Sequence, residues 1–156
     1  MKMTMKKTYI YLDTSVIGGY YDQEFAEASQ TLFAIIEKGE LIPVISNVTV
    51  EEIEGAPDTI KQLLKRLLPI SKYYDANEEV VLLARAYLDR KIISENYFDD
   101  CLHIAIATVF NVDLLVSWNF KHIVNFKKIP QFNAVNIESG YKPISIYSPL
   151  EVIQNE

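Results

Sequence analysis

Asp13, Glu52, Asp100 and Asn119 are scattered along the chain, yet each falls where an apolar run or a helical pattern begins or ends. Asp13 closes the first strand-like run, Glu52 opens a helix, Asp100 opens another, and Asn119 comes just after a short strand. If one fold gathers them, three carboxylates and an amide must share a small volume. Close anionic charges repel or take up protons unless a divalent cation neutralises them. Metal-dependent hydrolysis is the chemistry that such a set supports.

Other chemistries lack anchors. His103 and His122 are the only histidines, and neither has a zinc-type spacing to Cys101, the sole cysteine. Gly18-Gly19 matches neither a phosphate-binding loop nor a dinucleotide fingerprint, and no GxSxG elbow occurs. His103, one turn after Asp100, reads most simply as a packing residue, and Cys101 as a small buried side chain.

The elements that must position the four residues follow from periodicity. Thr8 to Leu12 is β-branched and aromatic and predicts a buried strand ending at Asp13. Phe25, Ser29, Leu32, Phe33 and Ile36 predict a helix over 24–38 that stops at Gly39. Leu41 to Ile45 predicts a second strand, with Ser46-Asn47 capping a helix over 48–54. Ile60, Leu63, Leu64 and Leu67 form an apolar stripe ending before Pro69, with Lys61, Lys65 and Arg66 on its wetter side. Asp75 to Glu78 has capping-box form before a helix reaching about Arg90. From Tyr97 to Phe110 the pattern is helical and apolar on nearly every side beyond Asp100, as for a central helix lying on a sheet. Leu114 to Val116 and Ile144 to Tyr147 predict further strands, with a short helix over 134–139 between them. Strands alternating with helices give βαβ units, and sites in open parallel sheets form at the carboxyl ends of the strands. All four residues map to that edge.

Composition narrows the setting. The chain has 156 residues, 49% of them hydrophobic, with no repeat or linker, so a single domain over 1–156 is expected. A net charge of −6 argues against a broadly basic nucleic-acid coat protein. Two acid-free intervals nevertheless concentrate positive charge. Lys121, Lys127 and Lys128 lie beside Trp118, Phe120 and Phe126, and Lys61, Lys65, Arg66 and Lys72 fall between Thr59 and Tyr74. Lysines beside aromatics suit a single nucleic-acid strand, through phosphate contacts and base stacking. Tyr20 and Tyr21 could also reach a base, although packing explains them. The basic start, Met1 to Lys7, has no apolar signal region, and no run of about 18 apolar residues follows. A lone cysteine fits a reducing cytoplasm.

On these residues the chain resembles the PIN-domain metal-dependent ribonucleases, especially the VapC-like toxins of bacterial toxin–antitoxin pairs. Leu12-Asp13-Thr14-Ser15-Val16 matches the family's first strand and its DxS/T-type element. Ile45-Ser46-Asn47-Val48-Thr49-Val50-Glu51-Glu52-Ile53 matches the strand, Ser and helix-borne Glu, with Glu52 as the ligand. Asp100-Cys101-Leu102-His103-Ile104-Ala105 matches the Asp-led helix, with Asp99 the adjacent alternative. The resemblance implies a three-layer α/β PIN-like fold with a central, mostly parallel sheet of about four to five strands flanked by helices. It implies Asp13, Glu52 and Asp100 as catalytic residues, and these with Asn119 as ligands of Mg²⁺ or Mn²⁺. Thr14, Ser15 and Ser117 are the expected phosphate-side donors, each with helix or turn capping as the plain alternative. RNA as substrate, a small antitoxin as partner and a homodimer are implied as well. The chain departs from the family at Ser117-Trp118-Asn119, where Thr-x-Asp is usual. An amide there removes one negative charge, which predicts a weaker second ion. It also opens the alternative of a catalytically weak or inactive module that binds RNA or a protein partner.

Overall fold

A computed structural model describes residues 6–154; residues 1–5 of the basic start lie outside it. Among these residues, five strands form one sheet: β1 (Thr8–Leu12), β2 (Leu41–Ser46), β3 (Lys72–Tyr74), β4 (Leu114–Val116) and β5 (Ser145–Tyr147), in the order β3-β2-β1-β4-β5. Every pairing is parallel, with Tyr11 opposite Val44 on one side of β1 and Leu115 on the other. The near-continuous apolar character of β1 and β2 is what a parallel strand covered on both faces requires.

Among the described residues, eight α-helices flank the sheet: α1 (Thr14–Gly18), α2 (Ala26–Glu37), α3 (Asn47–Ile53), α4 (Asp58–Leu67), α5 (Glu78–Asp89), α6 (Phe98–Val109), α7 (Ile129–Glu138) and α8 (Pro149–Ile153). Alternation along β1 splits the core in two. Tyr11 joins Val44, Leu115, Leu83, Tyr87, Ile104 and Phe132 beneath α5, α6 and α7. Ile10 and Leu12 join Ile45, Val116, Leu32, Phe33 and Leu63 beneath α2 and α4. The three-layer α/β fold expected from the sequence is therefore present, and its sheet is wholly parallel.

Four local readings change. Strand β3 was not predicted; Lys72-Tyr73-Tyr74 is short and mostly exposed, so it carries no apolar signature. The helix expected over 134–139 begins at Ile129, because Pro130 is tolerated in a first turn that needs no N–H from it. The cap of α5 is Asn77, whose Oδ1 accepts from Val80 N–H at 2.9 Å, in place of Asp75. Ser46 precedes α3 without capping it through its side chain, because its hydroxyl lies 2.7 Å from the Tyr11 hydroxyl; Asn47 instead accepts from Ala76 N–H at 2.8 Å and ties β3 down.

Strands β2 and β4 lie on opposite sides of β1, so the chain reverses its direction of progress across the sheet there. This is the switch point at which open α/β sheets form clefts. Asp13 N–H donates to Val116 O at 3.3 Å across it.

Candidate active site

Asp13 leaves β1 as the N-cap of α1 and is 3% exposed. Its Oδ1 accepts from Ser15 Oγ at 2.6 Å and from Val16 N–H at 3.3 Å, and its Oδ2 accepts from Ser117 Oγ at 2.6 Å. Burial raises its pKa above 3.8, against the lowering effect of nearby His103 and of these donors. Ser15 Oγ in turn accepts from Trp118 N–H at 2.9 Å, and Ser117 Oγ from Asn119 N–H at 2.9 Å. The two serines thereby lock the turn after β4 onto the end of β1.

Glu52 sits in the last turn of α3 and not at its start. Helical spacing brings its side chain back toward α1 and α6, where Oε1 accepts from Thr14 Oγ1 at 2.7 Å and lies 2.6 Å from His103 Nε2. Burial would raise its pKa, but the His103 hydrogen bond and charge, with Thr14, outweigh that and hold it below 4.5. Asp100 occupies the first turn of α6, where a carboxylate is favoured by the helix dipole. His122 Nδ1 lies 2.8 Å from its Oδ2, and Asn119 Nδ2 donates to the same oxygen at 3.2 Å.

His103 joins the set. Its other ring nitrogen, Nδ1, is 2.6 Å from the Tyr11 hydroxyl, so a buried line runs from Glu52 through His103 and Tyr11 to Ser46. Burial lowers the His103 pKa, but the bond to Glu52 and the charges of Asp13, Glu52 and Asp100 raise it above 6.5 overall. Asp99 also belongs to this neighbourhood: burial, then the charge of Glu52, raise its pKa despite His103.

The fold thus brings Asp13, Glu52 and Asp100 around one imidazole, and the sequence-based argument about charge needs correction. A cation was expected to be the only means of neutralising the acids, yet His103 contacts Glu52 within electrostatic reach of Asp13 and Asp100, and each carboxylate has two or more protein partners. Among the described residues, no group of three His, Cys, Asp or Glu side chains is arranged to hold a metal ion. Both contacts to Glu52 fall on Oε1 and both to Asp100 on Oδ2. Glu52 Oε2 and Asp100 Oδ1 thus remain as hard oxygens of the kind that binds Mg²⁺ through water.

Asn119 is oriented by its neighbours. Its Oδ1 accepts from His122 N–H at 2.9 Å, which turns Nδ2 toward Asp100. The hydroxyl protons of Thr14, Ser15 and Ser117 are all donated to carboxylates. Sequence reasoning missed the parts played by His103, His122 and Tyr11. The helical spacing of His103 to Asp100 was the available signal for the first; nothing local marked the other two.

No protein-family model and no curated protein sequence matches the chain. Solved structures do match its fold. VapBC2 from Rickettsia felis, bound to a DNA fragment from its promoter, aligns with a TM-score of 0.59 at 18% identity over 90% of this chain and 98% of that one. VapC20 of Mycobacterium tuberculosis, a toxin that cleaves the sarcin–ricin loop, aligns with a TM-score of 0.57 at 13% identity, covering 86% and 98%. DNA-bound VapBC from Salmonella typhimurium aligns with a TM-score of 0.58 at 16% identity, covering 92% and 99%.

Proposed function

We propose, from a PIN-like fold of the VapC kind, that this chain is a metal-dependent endoribonuclease and the toxin of a toxin–antitoxin pair. The observation that carries the reading is the convergence of Asp13, Glu52 and Asp100, from three separate elements, around His103 at the switch point of a parallel sheet. Glu52 and Asp100, through the oxygens left free of protein partners among the described residues, and Asp13 beside them would hold Mg²⁺ or Mn²⁺, since hard carboxylate oxygens suit such ions. When bound, such an ion supplies positive charge for the scissile phosphate and a lowered pKa for its water.

The chain's own residues set the remaining roles. Asp100 Oδ1, with no protein hydrogen bond among the described residues, is the oxygen that orients the attacking water. Asp13 has both oxygens committed and fixes the β1–β4 edge. Asn119 acts through Asp100, as a positioning residue and not as a ligand. Thr14, Ser15 and Ser117 hold the acids, so their hydroxyls reach a phosphate only by exchanging partners.

The VapBC assemblies with similar folds support a small antitoxin as partner, and dimerisation and a cytoplasmic setting complete the proposal. No helix among the described residues is long and apolar enough to cross a membrane. One observation favours a second reading. The acids are already compensated by His103, His122 and Asn119, as in a module that binds RNA or a protein without cutting.

The deciding experiment is cleavage of structured and single-stranded RNA by the purified chain with Mn²⁺ or EDTA, beside Asp13→Asn and Asp100→Asn. Cutting that vanishes in EDTA and in both variants supports the nuclease. RNA binding without cutting favours the second reading, and cleavage surviving EDTA and Asp100→Asn overturns the mechanism.

A further inference from the structure

Tyr97 packs on His122, the partner of Asp100, and Lys121 stands over Tyr97; neither has a part in the chemistry above. Tyr97 ends a 3-10 turn, Glu95–Tyr97, and leads into α6 about one turn before Asp100. Its ring packs on the His122 imidazole, with centroids 4.2 Å apart and planes at 48°, and His122 is the partner of Asp100 Oδ2. Tyr97 is nevertheless 42% exposed. Lys121 Nζ, from the segment after β4, lies 5.7 Å from the centre of the same ring. A fixed aromatic ring thus adjoins the imidazole that holds Asp100, and an ammonium group lies over that ring.

The other exposed aromatic near Asn119 has different surroundings. Phe120 packs edge-on to Trp118 and lines a hollow of about 440 Å³ that also has Glu24 and Glu27 in its wall, a poor place for a phosphate. Trp118 itself is buried, so the platform suggested by the sequence cannot be its indole. Lys121 shares the acid-free stretch 114–137 with Phe120, but it stands over the Tyr97 ring and is not part of that hollow's lining. A lysine over an exposed ring is held only weakly in water, so a phosphate can draw it off and free the ring face.

We propose that Tyr97 and Lys121 form a nucleotide subsite flanking the scissile bond, the ring stacking on an unpaired base and the ammonium meeting the adjacent phosphate. The inference rests on the ribonuclease reading and names the residues of this chain that would hold an unstacked nucleotide next to its carboxylates. A base paired within a duplex does not offer its face, whereas unstacked bases of loops and ends do.

The test is binding of a short fluorescently labelled single-stranded RNA, by anisotropy in EDTA and in Ca²⁺, to the wild-type chain, Tyr97→Leu, Tyr97→Phe and Lys121→Gln. The same RNA with one abasic position moved along its length serves as the paired probe. Tyr97→Leu should weaken binding about tenfold while Tyr97→Phe matches wild type. With the abasic position at the subsite, wild type should weaken equally and Tyr97→Leu should show no further loss. Lys121→Gln should reduce the log–log salt slope by about 0.7. Thermal melts separate lost binding from lost folding, and Lys121→Gln tests the subsite independently if Tyr97→Leu melts early. Equal binding by wild type, Tyr97→Leu and Lys121→Gln overturns the subsite, and RNA cleavage by the wild type then leaves the nuclease standing. Failure of wild type to bind or cut RNA overturns both.

Discussion

His103 Nε2 lies 2.6 Å from Glu52 Oε1, a contact between residues 51 apart that ties α6 to α3 across the mouth of the site. The Tyr11 hydroxyl is 2.6 Å from the opposite ring nitrogen, so the imidazole is fixed from both ends. Burial lowers the His103 pKa, but the bond to Glu52 and the nearby carboxylates raise it overall, so the protonated ring is favoured beside the acids that a metal ion alone was expected to neutralise.

The first consequence concerns pH. The His103 pKa is raised above 6.5, so its stabilising contribution is complete below that value and is lost as pH rises through the folded pKa. The Glu52 pKa is lowered below 4.5, so its contribution is complete above that value and is lost as pH falls through the folded pKa. The pair therefore supports the fold most fully between 4.5 and 6.5. In EDTA, the melting temperature of wild type should fall as pH is raised above this window, and that of His103→Gln should fall less steeply. Parallel curves would count against the ion pair. Asp13 also has a raised pKa, which His103 works to lower, so the two curves are compared in an Asp13→Asn background, where that second titration is absent.

Asn119→Asp tests the meaning of the missing carboxylate. Asn119 Nδ2 donates to Asp100 Oδ2 at 3.2 Å, and an aspartate would set two anionic oxygens face to face there. Without metal the variant should lose on the order of 1 kcal/mol, or roughly 2–4 °C in melting temperature. Mn²⁺ should restore more than it adds to wild type, because a fourth carboxylate strengthens its site. A variant as stable as wild type in EDTA would show that the amide does not hold Asp100.

Ser117→Ala addresses the support of Asp13. Ser117 Oγ donates to Asp13 Oδ2 at 2.6 Å and lowers the carboxyl pKa; its removal leaves a buried oxygen short of a donor. The expected loss is about 1–3 kcal/mol in a denaturant titration. Where RNA cleavage is measured, the acidic limb of its pH profile should move upward, since ionised Asp13 then requires a higher pH.

Gly19 makes a prediction about packing beneath the site. A Cβ there would lie 2.8 Å from Trp118 Cδ1 and Nε1 and 2.9 Å from Ser29 Oγ, inside the 2.8 Å bond from Trp118 Nε1 to Ser29 Oγ. Gly19→Ala should cost about 1–3 kcal/mol by overpacking. Gly18→Ala, with nothing within 4 Å of the new methyl, should be neutral or slightly stabilising. Thermal melts of the two variants decide the comparison, and equal midpoints would deny the close approach.

The sequence by itself determined the order of strands β1, β2, β4 and β5 with their intervening helices, because apolar periodicity of two or of 3.6 is written locally in runs such as Thr8 to Leu12 and Ile60 to Leu67. It also placed Asp13, Asp100 and Asn119 at element boundaries, since strand ends and first helical turns have local signatures. It could not show β3, whose three residues owe their strand geometry to pairing with Val44, Ile45 and Ser46. Nor could it show that His103 is the hub of the acids, that His122 bonds Asp100, or that Trp118 is buried while Phe126 is 81% exposed. Those facts depend on which residues distant in sequence meet at the carboxyl edge of the sheet. Tertiary packing decided them, because a buried polar group is satisfied by whichever partner the fold brings within about 3 Å, and no local pattern encodes that distance.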